Sequence, residues 1–303
     1  MTPYINQAIL VNAPTGIDWA TLVDGHTSLT DPVVMSAIQQ LCQESTGLID
    51  THCNQMLRAT QDTEEFTPPE DRCSVNRRNG NVRALLSRTP VIAITSVQYS
   101  PNIYPLTFTV VPTNQYRVHN PSPDIYSAAG AYMFDMGSGY VDWSLDREGY
   151  VLQVAYLNGY PHCGLTAPST TTSSTLTVDD ITGWTAGTTG TIYDPSISGG
   201  SGTETFAVAS TSPASATGNG PTAGTVTLTA NPAYAHATGT IVSALPPTVM
   251  RAGIYLASDI AMSKGVSYID IKPMGGPTEE HAGRPSDLRD EAYTILNPFV
   301  RRV

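Results

Sequence analysis

Residues 164–245 constrain the fold of this chain more than any other stretch. "VLQVAYLNGYP", at 151–161, reads as a strand running into a turn, and the next long apolar pattern is "ALPPTVMRAGIYLASDIAMS" at 244–263. Between them the chain is rich in Ser, Thr and Gly, and no Lys or Arg occurs between Arg147 and Arg251. Within this gap "TLTV", "GTIYD", "ETFAVAS", "TVTLT" and "GTIVSAL" alternate with the two-residue period of half-buried strands, divided by turn residues. The spacing predicts a small all-β barrel or sandwich inserted into a loop of another domain. Such insertions are tolerated at exposed turns whose ends lie close together. Trp184, Phe206 and Tyr234 are the module's candidate core anchors.

The flanks, 1–163 and 246–303, read as two parts of one discontinuous domain. Residues 1–30 are mixed, with a short helix at "GIDWATLV" as their one candidate element. Asp31 is placed to cap a helix and Pro32 to occupy its first position, where the missing N–H costs nothing. Val34, Ile38, Leu41, Leu48, Ile49 and Met56 then recur near the helical period, which predicts a helix ending near Arg58. Residues 59–81 are polar and read as a hairpin or long loop around the Asn79-Gly80 turn. Extended segments follow at "VIAITSVQYS", "LTFTVVP", "QYRVHN", "AYMFDM" and "YVLQVAYLNGY". An apolar helix is predicted over 247–263, ending at Lys264-Gly265. The remainder, 266–303, reads as an extended arm, "VSYIDIKPMGGP", and a last helix capped by Ser286, with Leu288, Ala292, Ile295 and Phe299 on one stripe. The expected fold class is α+β, a helical domain with a small antiparallel β-region plus the inserted β-domain.

The order of these segments carries a resemblance. "LLSRTPVIAITSVQYS", a "YRV" strand, "VAYLNGY", the helix introduced by "LPPTVMRAGIYLASDIA" and the ending "AYTILNPFVRRV" together resemble the head–tail adaptor (connector) proteins of tailed bacteriophages. The insert departs from the compact members of that family and resembles β-modules that decorate phage structural proteins. The resemblance implies a virion protein that forms a ring, commonly of about twelve copies, below the portal. Such a ring extends the DNA channel and presents a docking surface to the next connector, the stopper or the tail. It also implies that genomic DNA passes through without specific binding. On this reading the arm and last helix dock on the portal through Ile269, Ile271, Leu288, Ile295, Phe299, Arg301 and Arg302, the arginines either pairing with portal carboxylates or only complementing the last helix's dipole in solvent. The alternative docking place for the arm and helix is the chain's own helix at 31–58.

Composition fits a covered, non-adhesive subunit. Charged residues make up 14% of the chain and the formal net charge is −11. Proteins that grip phosphates need clustered cations, and an acidic wall repels DNA instead. Cys42 and Cys53 fall on one predicted helix, about 16 Å apart along its axis, too far to bridge. Reduced thiols are therefore expected. "MTPYINQAILVNAPTG" lacks a basic n-region and a long apolar core, so no signal peptide is expected in it, and no apolar run reaches membrane-spanning length.

Signs of chemistry are weak. His52-Cys53 and His162-Cys163 are adjacent pairs, whereas zinc wants spaced ligands that converge. Asp142, Asp146 and Glu148 lack the rhythm of a calcium loop, and "GGSGTETF" lacks the Lys of a phosphate loop. No catalytic residue, metal or cofactor is expected. Two rival readings remain. One is a carbohydrate- or receptor-binding module using Trp184, Tyr193 and Tyr234 to stack sugars; the other is a tail-terminator ring protein.

Overall fold

The computed structural model describes residues 2–67, 72–76, 81–101, 104–119, 133–136, 150–197, 202–214, 220–265 and 285–301. Two compact units emerge. One takes in residues 1–57, 161–216 and 221–300, and the other is built on Arg58–Tyr160, with 217–220 and 301–303. The segment 164–245 falls in the same unit as the helices, apart from 217–220.

The first unit opens with α1 (Gln7–Asn12), capped by Asn6, whose side chain accepts from the Ile9 N–H at 2.9 Å. Sequence periodicity gave no hint of this six-residue helix, which buries one side chain, Leu10. Within "GIDWATLV" stands a single 3-10 turn, Trp19–Thr21. Next comes α2 (Pro32–Cys53), with Asp31 accepting from the Val33 N–H and Pro32 in the first turn. The helix stops five residues short of Arg58. Asn54 turns left-handed (φ 51°), a conformation Asn tolerates. The exit is then pinned by Tyr4, whose hydroxyl donates to Asp50 and accepts from the Leu57 N–H at 2.9 Å.

The second unit is antiparallel β-structure. Strands β1 (Thr60–Phe66), β2 (Cys73–Asn76), β3 (Asn81–Leu85), β4 (Val91–Pro101), β5 (Thr109–Val110), β6 (Tyr116–His119), β7 (Met133–Met136) and β8 (Tyr150–Asn158) form two four-stranded sheets. Their orders are β1-β8-β4-β5 and β2-β3-β7-β6. Phe66, Val97, Leu152, Val154 and Tyr156 anchor the core. β1, "TQDTEEF", falls at the start of the stretch expected to be a hairpin or long loop, where β2 and β3 do pair antiparallel, and its charges hide the strand. Here they are satisfied locally: Arg72 pairs with Glu64 at 2.8 Å and Arg88 with Asp62 at 3.0 Å.

The first unit resumes with β9 (His162–Gly164), β10 (Thr175–Val178), β11 (Thr189–Tyr193), β12 (Glu204–Ser212), β13 (Gly224–Leu228) and β14 (Ile241–Ser243). Their order is β10-β13-β12-β11-β14-β9. This sheet curls until its two edges meet. Leu165 bridges Val178, the Thr166 N–H donates to the Thr177 carbonyl at 2.9 Å, and the Asp179 N–H donates to the Gly164 carbonyl at 3.1 Å. Joined edges leave few backbone groups open for pairing with other chains. Cys163, Leu176, Val178, Trp184, Ile192 and Val226 fill the interior.

Helix α3 (Pro247–Ser263) then packs with α1 and α2 around Ile5, Leu10, Trp19, Ile38, Leu41, Ala257 and Ala261. Gly253 permits the approach, since a Cβ there would lie 3.3 Å from Ile5 Cγ2. Ile241 and the half-buried Tyr193, from the curled sheet, belong to the same cluster. Helix α4 (Pro285–Leu296) closes the unit. Among the described residues there are thus fourteen strands in three antiparallel sheets and four α-helices. The expected α+β class, with a helical adaptor domain and a minor β-region, is corrected: the chain is mostly β. Apolar period exposed the long helices in the sequence, while strands as polar as β1 or as short as β5 carried too little pattern to register.

Candidate functional site

The last helix makes its contacts within its own unit. Its buried positions are Ala292 and Leu296, while Leu288, Ile295 and Phe299 are half-buried. Arg289 Nε donates to Asp259 of α3 at 2.9 Å, and Arg251 of α3 reaches Glu291 at 2.6 Å. Tyr293 stacks on His52 of α2 with centroids 4.3 Å apart, and Gln55 donates to the Phe299 carbonyl at 2.7 Å. Arg301 is half-buried. Ile269, Ile271 and Arg302, with the whole arm, lie outside the described residues, as do Asp142, Asp146 and Glu148.

In the curled sheet, Trp184 is buried against the half-buried Phe206, ring centroids 5.5 Å apart. A buried indole offers no platform for a sugar. Tyr234 is half-buried and stands outside the interior cluster. The fully buried side chain of that connection is His236, which the sequence reading passed over. Its ring stands between Asp194, with Nδ1 3.1 Å from Oδ2, and Glu204, with Nε2 2.6 Å from Oε1. Burial pushes the Asp194 carboxyl up, but bonds from Ser196 and His236 outweigh it and hold the carboxyl below its ordinary range. The three groups lie in a row, and among the described residues no set of three or more His, Cys, Asp or Glu could hold a metal ion.

A second polar network lies in the other unit. Glu64 accepts from the Ser87 hydroxyl and N–H, the Tyr156 hydroxyl and Arg72. All four cysteines are buried thiols. A cleft of about 890 Å³ in the first unit is lined by Asn6, Gln39, Thr166, Asp179, Tyr193 and Asp194, among others.

The surface that stands out is on α2. Its buried stripe is Val34, Ile38, Leu41, Cys42, Ser45, Ile49 and Cys53. Val33, across the helix from that stripe, is 49% exposed, Met35, at the edge of the stripe, is 41% exposed, and Leu29 just ahead of the helix is 36% exposed. Ser36, Gln39, Gln40 and Gln43 are exposed as well. From Pro32 to Gln43 there is no charged residue, and the first is Glu44. Solvated helix faces normally carry charges, and interface centres are depleted of them and enriched in Met. The signal was present in the sequence as an uncharged run, but attention to the buried stripe obscured it.

No protein-family model, curated protein or solved structure matches the chain. Among the described residues no helix is long and apolar enough to cross a membrane.

Proposed function

We propose that the chain is a structural subunit that assembles with copies of itself into a ring, serving as a head–tail connector in a tailed-phage virion. The observation that carries this reading is the uncharged exposed surface of the first three turns of α2, from which Val33 and Met35 project in different directions. Subunits with a formal charge of −11 repel one another. A contact between copies is least opposed where neither side brings charge, and this surface meets that condition. Head-to-tail use of one such patch against a different patch on the next copy generates rings when the rotation closes. The ordered sequence resemblance supplies the partners: the portal on one side and the next connector, stopper or tail on the other. Net acidity suits a channel through which DNA slides without adhesion.

The experiment is direct. Purified chain, examined by light scattering and negative-stain imaging alone and with portal-bearing heads, should give rings or portal-bound rings. Met35→Glu should disperse them while leaving the circular dichroism spectrum unchanged. A chain that stays monomeric at high concentration and does not bind portal-bearing heads overturns the reading.

A further inference from the structure

We propose that His236 is the buried cation of the curled sheet, carrying a proton on each ring nitrogen, and that loss of one proton releases the connection 229–240 from β11 and β12. The argument begins with what each nitrogen faces. Nδ1 meets Asp194 at 3.1 Å and Nε2 meets Glu204 at 2.6 Å, and the side chain is fully buried. Carboxylates accept and do not donate when ionised. A neutral ring has one N–H, so one contact would set lone pair against lone pair. Two protons are therefore needed across the row, and the donors that surround both carboxylates place the two on the ring.

The remaining bonds agree. Asp194 also accepts from the Ser196 hydroxyl and, at 3.3 Å, from the Ser196 N–H. Glu204 accepts from the Ala233 N–H at 2.7 Å and the Tyr234 N–H at 3.4 Å. Both carboxylates are thus surrounded by donors, as ionised groups require. His162 provides the contrast. Its Nε2 faces the Pro3 carbonyl at 2.9 Å, an acceptor only, while its Nδ1 faces the Ser243 hydroxyl at 2.9 Å, which can donate. One ring proton suffices for these two contacts, whereas those of His236 need two.

Charge balance points the same way. Residues 161–245 contain Asp179, Asp180, Asp194 and Glu204 and no Lys or Arg. A neutral His236 would leave two negative charges flanking the ring, the buried Asp194 and the half-buried Glu204, and a cationic ring leaves a net of one. The charged groups facing the ring are Asp194, after β11, and Glu204, at the start of β12. The third element against it, the connection after β9, supplies the neutral Ser169, whose hydroxyl accepts from the His236 N–H at 3.1 Å.

The device works through Glu204, which grips the connection at Ala233 and Tyr234 and at the ring itself. The clasp holds while the ring is doubly protonated and both carboxylates are ionised. Raising the pH strips a ring proton and turns one contact repulsive, and strong acid protonates the carboxylates and loosens it from the other side. Opening of the connection should therefore increase as the pH is raised.

The test uses the intact chain. Histidine ring ¹⁵N spectra across a pH series should show both His236 nitrogens protonated at neutral pH and His162 with a single N–H. Amides of 229–240 should gain exchange, beyond the intrinsic pH dependence, as the His236 signal changes. His236→Gln should make the excess exchange pH-independent. If that variant does not fold, the ring spectra of the unaltered chain decide alone. A His236 ring with one unprotonated nitrogen at neutral pH, or a connection whose protection ignores the ring's titration, overturns the proposal.

Discussion

Arg289 of α4 donates from Nε to Asp259 of α3 at 2.9 Å, and the Asp259 side chain is only 3% exposed. A carboxylate so nearly dry depends on the Arg289 guanidinium, while the arginine keeps contact with water at 47% exposure. Arg289→Ala should therefore cost about 1–3 kcal/mol by stranding a buried charge. Asp259→Asn should cost less, because the freed guanidinium is solvated. Urea unfolding of the two variants checks the order, and the opposite order would show that α4 is held elsewhere.

Gly190 faces the Trp184 and Phe206 rings, and a Cβ there would approach them to 2.6 and 2.7 Å. Gly190→Val should overpack the sheet interior and cost about 1–3 kcal/mol. The melting temperature and the Trp184 emission should both shift. An unchanged melt would mean the two rings yield freely.

Burial pushes the Cys42 and Cys53 thiols up to about 12, and Cys163 higher still. Thiolate is the reactive form, so native protein at pH 8 should resist a thiol reagent at these positions. Denatured protein should react at all four cysteines. Rapid native labelling of Cys42 would reveal local opening of α2.

For Glu64, burial raises the carboxyl, but the Ser87 and Tyr156 bonds and Arg72 together bring it below its ordinary value. A depressed carboxyl contributes stability above its unfolded value and loses it as pH falls through the folded value. The 58–160 unit should accordingly weaken below about pH 4.5. Tyr156→Phe should lower neutral stability by about 1 kcal/mol and flatten the acid slope. A slope unchanged in that variant would remove Glu64 as its cause.

The curled sheet has its own interior and its own edge closure, so residues 161–245 alone should fold cooperatively. Tyr193 and Ile241 would be laid bare, because they pack in the helical cluster. Dispersed amide spectra with a sigmoidal melt are expected, and a disordered fragment would show that the helices hold the sheet together.

Long elements were legible in the sequence for physical reasons. Asp31-Pro32 marked the start of α2 because cap chemistry is local, and the five strand patterns of 175–243 showed because turn residues punctuate them. The end of α2 was not legible. Asn54 stops it with help from Tyr4, fifty residues away. Asp259 read as one polar residue in an apolar helix, since its partner comes from α4. His236 looked like a lone histidine because Asp194 and Glu204 approach it only after the strands have paired.

The strands that begin and end the curled sheet lie side by side, with His162 opposite Ser243 and Gly164 opposite Ile241. The chain enters at 161 and leaves at 244, at the same end of this pair. Tension along the backbone therefore loads the β9–β14 hydrogen bonds one after another, as in a zipper, rather than all together in shear. Stretched by its own chain, this module would peel open from its root at low force.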